Sequence, residues 1–208
     1  MNYELLNRTI CTVIMVVMCV VDVHAQAQEA GVRTLIIEPA ASDRVELHVA
    51  KTGLYRGKVH VFLFPKYNGT LQYNATHPEA SQIRLNLSAA SIKLTDTWLG
   101  EKDFKEVQRY ALEDMLDAKK FPEITFVSAH VQVTNANHFV VRGTLTIRGV
   151  AKPATVYVTL QSSAGGLLNF EGEATVKLTD FGLKPPTAAL GLIGTKDEMT
   201  LSFVLNAK

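Results

Sequence analysis

Between Glu123 and Leu160 the chain alternates polar and apolar residues through three successive runs, and this period of two leaves few folds open. In the first run Ile124, Phe126, Ser128, His130 and Gln132 fall on one side of an extended strand. Thr125, Val127, Ala129, Val131 and Val133 fall on the other. Turn formers follow from Thr134 to His138. Phe139, Val141, Gly143, Leu145 and Ile147 then resume an apolar face, backed by the polar Arg142, Thr144, Thr146 and Arg148. A second reversal over Arg148–Pro153 leads to Val156, Val158 and Leu160. Strands this close in sequence pair antiparallel, because a parallel neighbour needs a crossover of about a dozen residues. The pattern predicts a meander in an all-β unit and leaves open whether that unit is a sandwich or a closed barrel.

The N-terminus reads as an export leader. Ile10 to Val21 is almost wholly apolar, follows a short polar segment containing Arg8, and precedes the small residues of Ala25-Gln26-Ala27. This is the pattern of a signal peptide cleaved after Ala27, with an apolar stretch short for a membrane span. Both cysteines, Cys11 and Cys19, lie within it, so residues 28–208 are expected to hold no disulfide, thiolate ligand or cysteine nucleophile. The expected location is periplasmic or secreted. Residues 28–208 suffice for one domain that buries roughly two-thirds of its extended surface. Charge is nearly balanced, with 21 Lys+Arg against 20 Asp+Glu, which argues against a nucleic-acid partner.

Along the domain, Leu35–Ile37 predicts a short strand ended by Pro39. Val45, Leu47 and Val49 alternate toward a stop at Thr52-Gly53, and Lys58–Phe64 is a more fully apolar strand. Asn68-Gly69 predicts a turn before a strand over Thr70–Tyr73. Ile83, Leu85 and Leu87 mark another strand. The period changes after Trp98: Phe104, Val107, Ala111 and Met115 recur every three or four residues, predicting one inserted helix over about 99–116. Asp103 with Glu106 offers a capping box, with Asp96 or Thr97 as earlier starts. Phe170, Gly172, Ala174, Val176 and Leu178 form a further strand, whose small members leave room for bulky neighbours or a ligand. Met199, Leu201, Phe203 and Leu205 form the last strand, expected to pair back to an early one and so remove an exposed edge.

Four ordered motifs carry a family resemblance. Phe121-Pro122-Glu123-Ile124-Thr125-Phe126, the hairpin from Gly143 to Thr155, Thr179-Asp180-Phe181-Gly182, and Asp197-Glu198-Met199-Thr200-Leu201 resemble the corresponding segments of YceI-like, polyisoprenoid-binding proteins. Glu101-Lys102-Asp103 with Glu106-Val107-Gln108-Arg109 resembles the helix of one branch of that family. In that branch a second histidine often stands where this chain has Phe62, and Ala41 stands in place of a histidine common near the family's start. The resemblance implies a mainly β fold, a lipocalin-like, antiparallel, eight-stranded extended barrel. It further implies a periplasmic carrier of an apolar lipid, of polyisoprenoid or quinone type. Transient membrane contact and a homodimer are separate expectations. The alternative is a ligand-free structural or interaction barrel, using Tyr55, Tyr67 and Trp98 as surface.

Eight or more strands closed around side chains can hold one small ligand. Candidate lining residues are Leu47, Val49, Val59, Leu63, Leu85, Leu87, Ile124, Phe126, Val141, Leu145, Val156, Val158, Ala174, Val176, Leu201 and Phe203. His60, Arg148 and Asp180 are candidate headgroup or metal contacts. The histidines show no metal-ligand spacing, so a metal would require His48, His60 and His130 to converge across strands. No serine sits in a nucleophile elbow, and an enzyme is not expected.

Overall fold

The computed structural model describes residues 31–164 and 166–208. The leader expectation, with Cys11, Cys19 and cleavage after Ala27, lies outside the described residues. Twelve strands form one antiparallel sheet: β1 Val32–Ile37, β2 Arg44–Gly53, β3 Val59–Leu63, β4 Tyr67–Asn74, β5 Gln82–Ser88, β6 Lys93–Leu94, β7 Glu123–Asn135, β8 His138–Ile147, β9 Val150–Ala164, β10 Leu167–Lys177, β11 Thr187–Ala188 and β12 Ile193–Ala207. Helix α1 spans Glu101–Tyr110 and continues as a wider π turn over Ala111–Met115.

Eight strands close a barrel in the order β1, β4, β5, β7, β8, β9, β10, β12 and back to β1. The closure depends on how β12 is shared. Along its far edge it pairs with β2 over most of its length and with β1 only at Ile37↔Ala207, a contact extended by backbone bonds between Ile36 and Lys208. The Pro39–Asp43 break thus lets one edge serve two strands. Asp43 pins this seam by accepting hydrogen bonds from Tyr67 Oη (2.9 Å) and from the Asn206 side chain. Below the seam, β2 continues into β3 and β6, and α1 covers what remains open. Gln108 anchors it, accepting from Leu94 N at 2.7 Å and donating to Ile92 O at 3.0 Å.

Several local expectations are corrected. Asn68-Gly69 is not a turn: both residues lie inside β4, paired with Asn86 and Leu85. A Cβ at Gly69 would lie 2.6 Å from Arg84 O, so glycine serves close strand approach there. The reversal expected to run through Pro153 is a two-residue turn at Arg148 (φ 52°) and Gly149 (φ 74°), and β9 starts at Val150. The capping box does not form; Gly100 is the helix N-cap and has no side-chain cap. In β7 the register shifts between Ser128 and His130, so the inward face passes from Ile124 and Phe126 to Val131, leaving His130 exposed. Tyr67 is buried at the seam, not available as interaction surface.

Candidate functional site

The barrel is hollow. A cavity of about 470 Å³ occupies the half beneath α1, and a second of about 120 Å³ occupies the half toward the β7–β8 turn. Leu85, Phe126, Leu145 and Leu201 line both, forming a waist between the two chambers. Gly143 and Gly172 help shape it. A Cβ at Gly143 would lie 2.8 Å from Phe126 Cζ, and one at Gly172 would lie 2.5 Å from Phe203 Cζ. The room left by these small residues is therefore taken by phenylalanine rings of neighbouring strands.

Of the candidate lining residues, Leu47, Val49, Leu85, Leu87, Ile124, Phe126, Leu145, Val176 and Leu201 face the larger chamber. Val141, Val156, Val158, Ala174 and Phe203 face the smaller one, together with the waist residues. Val59 and Leu63 do not line either. On β3 the inward set is His60, Phe62 and, just beyond the strand, Phe64, while Val59 is exposed. Both faces of that strand are apolar, so its alternation gives no parity, and pairing with β2 (Val49↔His60, Leu47↔Phe62) decides which face is inside. The helix stripe also faces in, with Val107, Ala111 and Met115 forming the cavity roof.

Polar lining gathers at the end where the β2–β3 hairpin meets α1. His60 is buried, and its Nδ1 lies 2.6 Å from Asp96 Oδ2; Asp96 Oδ1 in turn accepts the Val61 N–H at 2.9 Å. Burial pushes the His60 pKa down, outweighing the hydrogen bond and charge of Asp96 that pull it up, and the Lys51 charge adds to the lowering. The ring is therefore neutral at pH 7: Nδ1–H donates to Asp96, and Nε2 is left as an acceptor without a partner among the described residues. Trp98 stacks on this ring at 5.2 Å, donates its indole N–H to Val59 O at 3.2 Å and packs against Tyr55. Lys51 also lines the cavity, and burial lowers its pKa against the opposing pull of Asp96. Thr195, paired across the sheet with Lys51, carries the one buried hydroxyl among the described residues that has no hydrogen-bond partner. An orphan hydroxyl in an apolar wall is a cost unless something else bonds it.

Sequence reasoning identified His60 but missed Asp96, Lys51 and Thr195, and it took Trp98 for interaction surface where the structure stacks it on His60 in the cavity lining. None has a motif, and the sheet register brings them together from positions up to about 140 residues apart by chain connectivity. The other two headgroup candidates lie elsewhere. Arg148 donates to Asp114 O at 2.9 Å and Met115 O at 3.2 Å and lies over the Phe121 ring, so it ties the helix end to the β8–β9 turn. Asp180 is exposed and lines neither chamber; the carboxylate that holds its turn is Asp197, accepting from Thr179 N and Oγ1 at 2.9 and 2.6 Å. Nor do the histidines converge: His48 faces outward to Glu46 and Ser202, and His130 is exposed. Among the described residues no group of three or more His, Cys, Asp or Glu could hold a metal ion.

Comparison with known proteins agrees with this architecture. The model of the YceI-like domain matches residues 37–207. A UPF0312 protein of Pseudomonas savastanoi pv. phaseolicola is 34% identical over 128 residues, covering 59% of this chain and 63% of that protein. One of Pseudomonas putida W619 is 35% identical over 130 residues, covering 60% and 64%. The match thus spans less than two-thirds of these relatives' length. Among solved structures, Burkholderia cenocepacia BcnA superposes with a TM-score of 0.64 at 24% identity, covering 81% of this chain and 98% of that one. A polyisoprenoid-binding domain from Saccharophagus degradans gives a TM-score of 0.56 at 14% identity, covering 85% and 99%. At these identities the likeness is one of fold. With the family model matched across nearly the whole described domain, the chain belongs to the YceI-like family.

Proposed function

We propose that this protein is a non-catalytic, extracytoplasmic carrier that holds one elongated apolar lipid, of isoprenoid type, within its barrel. The observation that carries this is the apolar interior, two chambers that share the lining residues Leu85, Phe126, Leu145 and Leu201. Such a lining binds a hydrocarbon chain because both surfaces leave water, at about 0.8 kcal/mol per buried methylene before ordering costs. The polar terminus of the lipid meets Lys51, His60 and Thr195, whose hydroxyl has no partner among the described residues. The shared fold with a polyisoprenoid-binding domain supports the chain type, and the leader pattern of residues 1–27 supports the location.

Organic extraction of protein purified without detergent, followed by mass spectrometry, tests the proposal. A stoichiometric lipid with a chain long enough to cross the waist is the expected result. Recovery of no lipid, together with failure of the emptied protein to take up a long-chain isoprenoid, would reject it.

A further inference from the structure

The open end of the large chamber carries an unusual surface. Leu54, Tyr55, Leu190 and Leu192 are exposed by 73, 42, 106 and 59%, and they form one group. Leu54 N donates to Leu192 O at 3.0 Å, and Leu192 N to Ala189 O at 3.1 Å, so the β2–β3 hairpin and the loop before β12 are joined through their backbones. Tyr55, Pro186, Ala188 and Ile193 of the same two segments line the cavity, which places the exposed leucines on its rim.

The exposure of Leu190 is built in. Ala189 and Leu190 have φ of 50° and 55°, a left-handed conformation that L residues adopt at a cost, followed by Gly191 at 88°. A chain that accepts strain to turn a leucine wholly into water presents it for use.

The charges of the two segments point to what meets it. Residues 53–58 and 182–196 contain Arg56, Lys58, Lys184 and Lys196, all exposed or partly so, and no acidic residue. Of the acidic groups nearby, Asp96 is bonded to His60, Asp197 to Thr179 and Glu198 to Lys177, while Asp180 is exposed and Asp103 and Glu106 of α1 line the cavity. Leucines projecting from a basic rim are the combination that enters the interface of an anionic bilayer, apolar side chains among the acyl chains and cations among the head groups.

We infer that these two loops dock the open end of the barrel onto an anionic lipid bilayer, so that a lipid passes between membrane and cavity without crossing water. The use of the docked state rests on the carrier reading; the docking itself does not. Flotation of the purified protein with vesicles tests it, comparing phosphatidylcholine alone with equal parts phosphatidylcholine and phosphatidylglycerol. The expected result is association with the mixed vesicles that weakens with salt. Leu54→Asp with Leu190→Asp lowers it by about tenfold or more, and Arg56→Glu with Lys184→Glu by about tenfold. Tyr157→Asp, at a residue 59% exposed on the barrel wall, leaves it unchanged.

Absence of flotation overturns the inference, as does an equal loss in the Tyr157 variant. Self-association of the protein that the leucine variant abolishes, without vesicle binding, reassigns the rim to a second copy and also overturns it. If the double variant misfolds, the milder Leu190→Ser variant takes its place: weakened flotation supports docking, and unchanged flotation overturns it. Lipid content measured on the same samples separates the two ideas: protein that floats but holds no lipid sinks the carrier reading alone.

Discussion

Replacing Phe126 with alanine probes the interior most directly. Its ring lines both chambers and lies against the open face of Gly143. Losing the transfer energy of a partly buried phenyl group costs about 2 kcal/mol. If the space stays empty, a void of about 90 Å³ adds about 2 kcal/mol more. The emptied variant is therefore destabilised by about 4 kcal/mol, whereas the lipid-loaded variant loses only about 2 kcal/mol, because a ligand chain fills the widened waist. Urea denaturation of extracted and loaded protein measures both losses, read from the midpoint at unchanged slope. Mass spectrometry of the variant should recover chains at least as long as those of the unaltered protein. Equal destabilisation in the two states, or a loss in the emptied protein well under about 1 kcal/mol, would refute the two-chamber account.

Three further outcomes are expected. Burial holds the His60 imidazole below its ordinary 6.5, so the unfolded chain takes up that proton first; the associated stability is full above pH 6.5 and is lost as pH falls through the folded value. Melting temperatures followed from neutral into acid should show this slope, and His60→Gln should flatten it; an unchanged slope contradicts the assignment. Gln108→Ala removes both bonds to the Ile92–Leu94 backbone and should cost about 2 kcal/mol, with faster amide exchange in β6. Arg148→Ala should cost about 1 kcal/mol and speed exchange around Ala111–Ala118, while leaving lipid content unchanged because the guanidinium lies outside the cavity.

What could be read from the sequence was whatever alternated cleanly. β2, β5, β8, β10 and β12 have one apolar and one polar face, and for each the face turned inward is the one the period gives. Where the period was disturbed, the reading failed for identifiable reasons. β3 is apolar on both faces, so Val59 and Leu63 looked as good as Phe62 and Phe64, and only the pairing with β2 settles the matter. In β7 an extra residue near Ala129 inverts the face halfway along, and a bulge leaves no mark in composition. Asn68-Gly69 has the chemistry of a tight turn, yet Gly69 is there because two strands approach too closely for a side chain. The polar end of the cavity is the least legible part. His60, Lys51, Thr195 and Asp96 meet only because β12 lies beside β2 and the segment after β6 returns to β3, and such meetings are decided by topology.

The sharing of β12 between β1 and β2 has a bearing on biosynthesis. Asp43 and Asn206, which meet at the seam, are 163 positions apart, so β1 and β2 wait for their shared partner until the ribosome has made the other strands of the barrel. Throughout that interval β2 lacks the strand it pairs with, and a nascent chain stalled or clipped before residue 193 keeps an unpaired edge prone to sticking to others like it. Chaperone capture during synthesis is the natural counterpart of a barrel whose closing strand follows all its other strands in the chain.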